Sequence, residues 1–144
     1  MSVCDEQQRQ VIQLLQGLES WEDRYKKIIE LGKALSPLSE AERSESNKVK
    51  GCQSQVWLVP ELKEGKVLLR GDSDAVLVKG LVALVIQVYS GGTPDEILST
   101  PPRFLKEAGL ESHLTPSRSN GLSSMLKQIQ YFALAYRALL TQKR

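Results

Sequence analysis

Gln55-Val56-Trp57-Leu58-Val59-Pro60-Glu61-Leu62 is followed by Lys63-Glu64-Gly65-Lys66 and then by Val67-Leu68-Leu69-Arg70. Two runs rich in β-formers, separated by a short polar stretch with a glycine, read as a β-hairpin. Pro60 has no N–H to give to a ladder, so it belongs on an edge or at a bulge. Two strands alone make a marginal sheet, and a third short strand is expected around Lys48–Lys50. Gly71 is expected to end the second strand in a turn.

The chain on either side of the hairpin is helical in pattern. Val11, Leu14, Leu15 and Leu18 recur at helical spacing and predict an amphipathic helix over 5–18. Ser20 stands before Trp21-Glu22-Asp23 as an N-cap with acidic residues in the first turn. Trp21, Tyr25, Ile28, Ile29 and Leu35 form the buried stripe of a second helix, which stops before Pro37. The polar run 39–47 reads as a loop or a short helical turn. Ser73 or Asp74 is expected to cap a largely buried helix from Ala75 to Tyr89, ended by Gly91-Gly92. Thr93-Pro94-Asp95-Glu96 is a capping box with proline in the first turn, and Thr100-Pro101 repeats the Thr-Pro start. Leu122, Met125, Leu126, Ile129, Ala133, Tyr136 and Leu140 line one face of a long C-terminal helix starting near Ser117. The expected fold class is α+β. Residues 1–144 would form one domain, a small antiparallel sheet of about three strands packed with helices.

Composition excludes several functions. Nineteen basic and 17 acidic side chains leave a net charge of +2 on 144 residues. With no basic block, this balance gives no reason to expect nucleic acid or an anionic membrane surface as partner. The most apolar stretch, Val76 to Tyr89, is interrupted by Lys79, Gly80 and Gln87 and is too short to span a bilayer. Two cysteines (Cys4 and Cys52) and one histidine (His113) are too few for a four-ligand zinc site or a cluster-holding cysteine set. Met1-Ser2-Val3-Cys4-Asp5-Glu6 lacks a basic and apolar leader pattern, so reduced thiols and a cytoplasmic location are expected. Asp72-Ser73-Asp74 looks like the start of a calcium loop, but Val76 occupies the fifth position. Gly91-Gly92 lacks the rest of a phosphate loop.

The stretch that carries chemistry is Lys48-Val49-Lys50-Gly51-Cys52-Gln53-Ser54-Gln55. A cysteine follows a glycine in a turn leading into a strand, with two lysines just upstream. The thiolate is the nucleophile, and nearby cations lower a cysteine pKa from about 8.5. From the residue pattern alone, the reading of Cys52 as a small core residue, as most free cysteines are, is favoured over the reactive one. His113 is the one histidine that could serve as its base in a Cys–His hydrolase, although Gly109-Leu110-Glu111-Ser112-His113-Leu114 suits a surface histidine. Ser117-Arg118-Ser119-Asn120-Gly121 reads as a helix start. Gly121 there costs about 1 kcal/mol relative to alanine and suits close approach of another backbone or a ligand. Arg118 opposes the helix dipole, which suits holding a carboxylate or a thiolate, or it is simply solvated.

Taken together, Gly51-Cys52-Gln53-Ser54-Gln55-Val56-Trp57, Gly71-Asp72-Ser73-Asp74 with Val78-Lys79-Gly80-Leu81, and Leu114-Thr115-Pro116-Ser117-Arg118-Ser119 with Gly121-Leu122 resemble the SufE family of sulfur-acceptor proteins. Trp21-Glu22-Asp23-Arg24-Tyr25 and Ile29-Glu30-Leu31-Gly32-Lys33 fit its N-terminal helices. The resemblance runs in order from about residue 7 to 140. It implies a fold like that of IscU-type scaffolds, with helices packed on one side of a small antiparallel sheet. It also implies a persulfide carrier in iron–sulfur cluster assembly. Such a carrier takes sulfane sulfur from a PLP-dependent, SufS-like cysteine desulfurase and passes it to a SufB-type scaffold. By motif position, Cys52 matches the persulfide-forming cysteine, Asp74 a residue of the desulfurase-facing surface, and Arg118 the arginine of the Ser-Arg-Ser segment. Gly51, Gln53, Ser54, Asp74 and Arg118 would bind the partner or position the loop. Gln53-Ser54-Gln55 favours SufE proper over relatives serving another desulfurase. Asn120 stands where the family commonly has glutamine, and Cys4 matches nothing in the pattern. The resemblance implies no cofactor on this chain, since PLP belongs to the desulfurase, and it allows a homodimer. The protein would be a cosubstrate and activator more than a stand-alone enzyme. Outside the family, a hydrolase using Cys52 and His113 and a binding module with a structural cysteine are the alternatives.

Overall fold

A computed structural model describes residues 2–142. Helices α1 (Val3–Gln16) and α2 (Trp21–Lys33) begin at Ser2 and Ser20, whose hydroxyls accept from Asp5 N and Asp23 N. A single 3₁₀ turn at Glu45–Asn47 precedes strands β1 (Val56–Lys63) and β2 (Lys66–Ser73). Then follow α3 (Val76–Tyr89), α4 (Pro94–Leu98), α5 (Phe104–Glu107), α6 (Leu110–His113) and α7 (Pro116–Gln142). The architecture is α+β, a two-stranded antiparallel sheet packed with helices. Among the described residues no helix is long and apolar enough to cross a membrane.

The hairpin forms where the sequence predicts it, with two refinements. Its turn is tighter, because Lys63 and Lys66 pair and leave only Glu64 and Gly65 in the loop, at φ 53° and 78°. Both central residues at positive φ make the primed turn whose twist suits flanking strands. β2 also runs on through Gly71 to Ser73 instead of stopping. Gly71 lies opposite Leu58, and a methyl group there would come within 2.7 Å of Val82 Cγ1 and 2.9 Å of Trp57 O. Glycine serves close packing of α3 on the sheet, not a turn. The third strand does not form. Lys48 makes one isolated bridge to Trp57, with Val49 N donating to Val56 O at 2.8 Å. The chain then turns away at Gly51, whose φ of 92° is costly for residues with a side chain.

Helix α3 is the centre of the core. Leu81, Val82, Leu84, Val85 and Val88 are fully buried, because α1, α2, β2 and α7 all pack on it. That explains its apolar character on most faces. The contact with α2 is made at glycines: a methyl on Gly32 would lie 2.6 Å from Gly80 N, and one on Gly80 would collide with the Ile28 backbone. Neither Ser73 nor Asp74 caps α3. Its N-cap is Ala75, without a side-chain bond. Ser73 Oγ instead donates to Gln55 O at 2.7 Å, and Asp74 Oδ1 accepts from Gln55 N at 3.0 Å. Thr93 and Glu96 form the expected reciprocal capping box of α4.

Gly80→Ala is expected to destabilise the protein by about 1–3 kcal/mol, the usual range for overpacking a core contact. A urea melt should show a lower midpoint with an unchanged slope. A midpoint equal to the parent's would mean that α2 and α3 do not pack this closely.

Candidate functional site

The bond from Val49 N to Val56 O and the bond from Gln55 N to Asp74 pin the two ends of a loop. Between these ties, no backbone hydrogen bond holds residues 50–54 among the described residues. A side chain on Gly51 would come within 2.7 Å of Ser124 Oγ on α7. The next residue, Cys52, turns the other way. Its half-buried Sγ sits 3.6 Å from Gly121 O, within reach of a weak S–H hydrogen bond. Gly121 lies in the second turn of α7, and a methyl added there would touch Cys52 Sγ at 3.6 Å. The glycine therefore leaves space beside the sulfur.

That space opens into a cavity of about 690 Å³. Tyr25 and Ile29 from α2, Ala75 to Val78 at the start of α3, and Ser117, Arg118, Gly121 and Met125 from α7 form its walls, with Cys52, Gln53 and Ser54 at one side. Cys52, Gln53, Ser54 and Arg118 are thus brought together. Gly51 faces Ser124 instead, and exposed Asp74 acts on the loop through Gln55. Helix α7 starts one residue earlier than expected, at Pro116, and Arg118 N donates to Thr115 Oγ1 at 3.4 Å. Thr115-Pro116 repeats the Thr-Pro signature of α4, a signal that would have located this start. Tyr25 and Ile29 read as core stripe in the sequence. They line the cavity because α2 is only half covered at that end.

Two expectations about charge change. Lys48 and Lys50 do not face the thiol; they line a separate groove with Ser124 and Lys127, on the adjacent face of α7. Burial alone acts on Cys52, and it pushes the thiol above its ordinary range. Arg118 pairs with no carboxylate among the described residues. Its guanidinium and the N-terminal end of α7 place positive charge at the cavity wall. His113 takes no part. Its ring stacks on Trp21 at a centroid distance of 4.0 Å, Nδ1 lies 3.0 Å from Gly109 O, and it lines no wall of the cavity. The Cys–His pair of a hydrolase is not assembled.

A raised thiol pKa makes the reactive anion scarce at neutral pH and recovers it only as pH climbs. Alkylation of Cys52 by iodoacetamide in the free protein should be slow at pH 7 and still rising above about pH 8.5, where an unperturbed cysteine is half ionised. A rate that levels off below that pH would mean that the thiolate is stabilised, not suppressed.

The SufE family, described as an Fe-S metabolism associated domain, matches residues 9–133. An uncharacterized SufE-like protein of Synechocystis sp. is 48% identical over 113 residues, covering 78% of this chain and 71% of that protein. The solution structure of a hypothetical protein from Thermus thermophilus aligns with a TM-score of 0.76 at 28% identity, over 94% of this chain and 96% of that one. The family match begins in α1, ends in α7 and contains both the Cys52 loop and every wall of the cavity, so the chain belongs to the SufE family.

Proposed function

We propose that this protein is a sulfur acceptor, in which Cys52 takes sulfane sulfur from the persulfide of a SufS-like cysteine desulfurase and passes it to a SufB-type iron–sulfur scaffold. The observation that carries the reading is the placement of Cys52: a half-buried thiol on a loop tied only at its ends, facing a cavity with spare volume. In the first step the Cys52 thiolate attacks the terminal sulfur of the donor persulfide. A new S–S bond forms at Cys52, the donor's own S–S bond breaks, and the donor cysteine departs as a thiolate that picks up a proton. No external oxidant enters, because the sulfane sulfur moves with its oxidation state unchanged. Delivery is the same exchange, with the acceptor's thiolate as the attacker.

A carrier must shelter its cargo between these steps. The cavity beside Gly121 has room for one more sulfur, and Ile29, Leu77, Val78 and Met125 give it apolar walls. Arg118 is proposed to hold the anionic persulfide, and Gln53 and Ser54 to supply polar contacts around it. Asp74 is proposed to fix the Gln55 end of the loop while 50–54 swings outward, and Gly51 is the pivot. Draining sulfur from the desulfurase would speed its turnover, which makes the protein an activator. PLP belongs to the desulfurase in this scheme.

Intact-mass measurement after incubation with the desulfurase, PLP and cysteine tests the reading. The parent should gain about 32 Da per sulfur, by persulfide exchange, on the peptide that contains Cys52. Cys4→Ser should behave like the parent, since Cys4 is fully buried and burial pushes its pKa up to about 12. Cys52→Ser should gain nothing. Mass gained on Cys4 alone would overturn the assignment.

A further inference from the structure

The groove holding Lys48 and Lys50 has no part in sulfur chemistry, yet it adjoins the loop that does. It measures about 530 Å³ and lies between residues 45–50 and the face of α7 that carries Ser124, Lys127 and Tyr131. Lys50 and Lys127 are exposed and pair with no carboxylate among the described residues. Lys48 has only a 3.7 Å pairing with Glu45, whose side chain is almost entirely in water. Large apolar surface continues from the lysines: Tyr131 is 66% exposed, and Leu134, one helical turn on, is 47% exposed. We propose that this groove docks an acidic, partly apolar segment of the cysteine desulfurase, an interaction that rests on the acceptor reading above.

Charge and shape select that occupant. Three lysines line one short groove of a chain whose net charge is only +2, so the positive charge is local. A nucleic-acid backbone needs a longer basic track than this one short groove provides. A small free anion would leave Tyr131 and Leu134 uncovered. A protein segment bearing carboxylates beside apolar side chains satisfies both halves of the surface.

Docking here also reaches the thiol. The chain crosses α7 in three residues: Lys50 lies in the groove, Gly51 abuts Ser124, and Cys52 lies in the cavity against Gly121. A partner that engages Lys50 therefore pulls on the pivot of the Cys52 loop.

The test measures the Kd between the full chain and a SufS-like desulfurase over a series of salt concentrations. Lys50→Glu/Lys127→Glu should weaken binding at least tenfold at low salt, and Lys50→Gln/Lys127→Gln several-fold, with a flatter salt dependence in both. Thermal midpoints equal to the parent's would establish that both variants fold, as expected for exposed lysines. Sulfur loading of Cys52 in the Glu variant should match the parent once the desulfurase is in excess. A Kd within twofold of the parent's for the Glu variant would overturn the proposal. So would tighter binding of a single-stranded oligonucleotide than of the desulfurase, which would assign the groove to nucleic acid. The two readings fail separately. Groove-dependent binding without sulfur on Cys52 removes the acceptor reading alone, whereas loading by the Glu variant at the parent's desulfurase concentration removes the groove alone.

Discussion

One buried carboxylate ties three pieces of chain to one another. Asp72 is 1% exposed, and its oxygens accept from Leu38 N at 3.3 Å, Arg43 Nη2 at 2.6 Å, Ser73 N at 2.8 Å and Lys79 Nζ at 3.3 Å. Burial works to raise its pKa, but these donors outweigh burial and hold the carboxyl below its usual range. Through them the irregular segment after α2, the end of β2 and the first turns of α3 are fixed to one another. The Cys52 loop is suspended from this assembly, since Ser73 and Asp74, the residues next to Asp72, grip Gln55. A buried charge is expensive unless it is fully paired. Here the pairing converts that expense into a single geometry for the sheet–helix corner.

The site sets two requirements against each other. A persulfide carrier must keep its sulfur from reductants, which favours burial, yet thiolate attack needs the anion, which burial suppresses. Under the proposed function the two conditions would belong to two positions of one loop. Between its ties, residues 50–54 lack backbone bonds that would oppose movement. The cations that sequence adjacency suggested for the thiol lie instead on the adjacent face of α7.

Much of the fold was legible because it depends on local chemistry. The serine cap of α2, the Thr93–Glu96 box and the hairpin each follow from a few neighbouring residues. What was not legible depends on contacts distant in sequence. Lys48–Lys50 has strand-like composition, but the φ of Gly51 turns the chain after one bridge. Gly71, Gly32 and Gly80 look like breakers in a one-dimensional reading, whereas in three dimensions each is a place where another backbone or side chain arrives. Ser73 and Asp74 have the residue types of helix caps, but Gln55, far upstream, takes their side chains. The identity of the site cysteine followed from Gly51-Cys52-Gln53-Ser54 and the family resemblance. Its cavity did not, because Tyr25, Ile29 and Met125 carry the same helical periodicity as ordinary core residues.

The central claim is that one thiol, at Cys52, receives sulfur directly from another protein's persulfide. A single-turnover experiment addresses it: the desulfurase is first charged with radiolabelled sulfur, freed of cysteine, and then mixed with this protein. The account predicts that label leaves the desulfurase as it appears on the Cys52 peptide, in a form that cyanide releases as thiocyanate. Label that stays on the desulfurase, or reaches this chain at any residue other than Cys52, would contradict it.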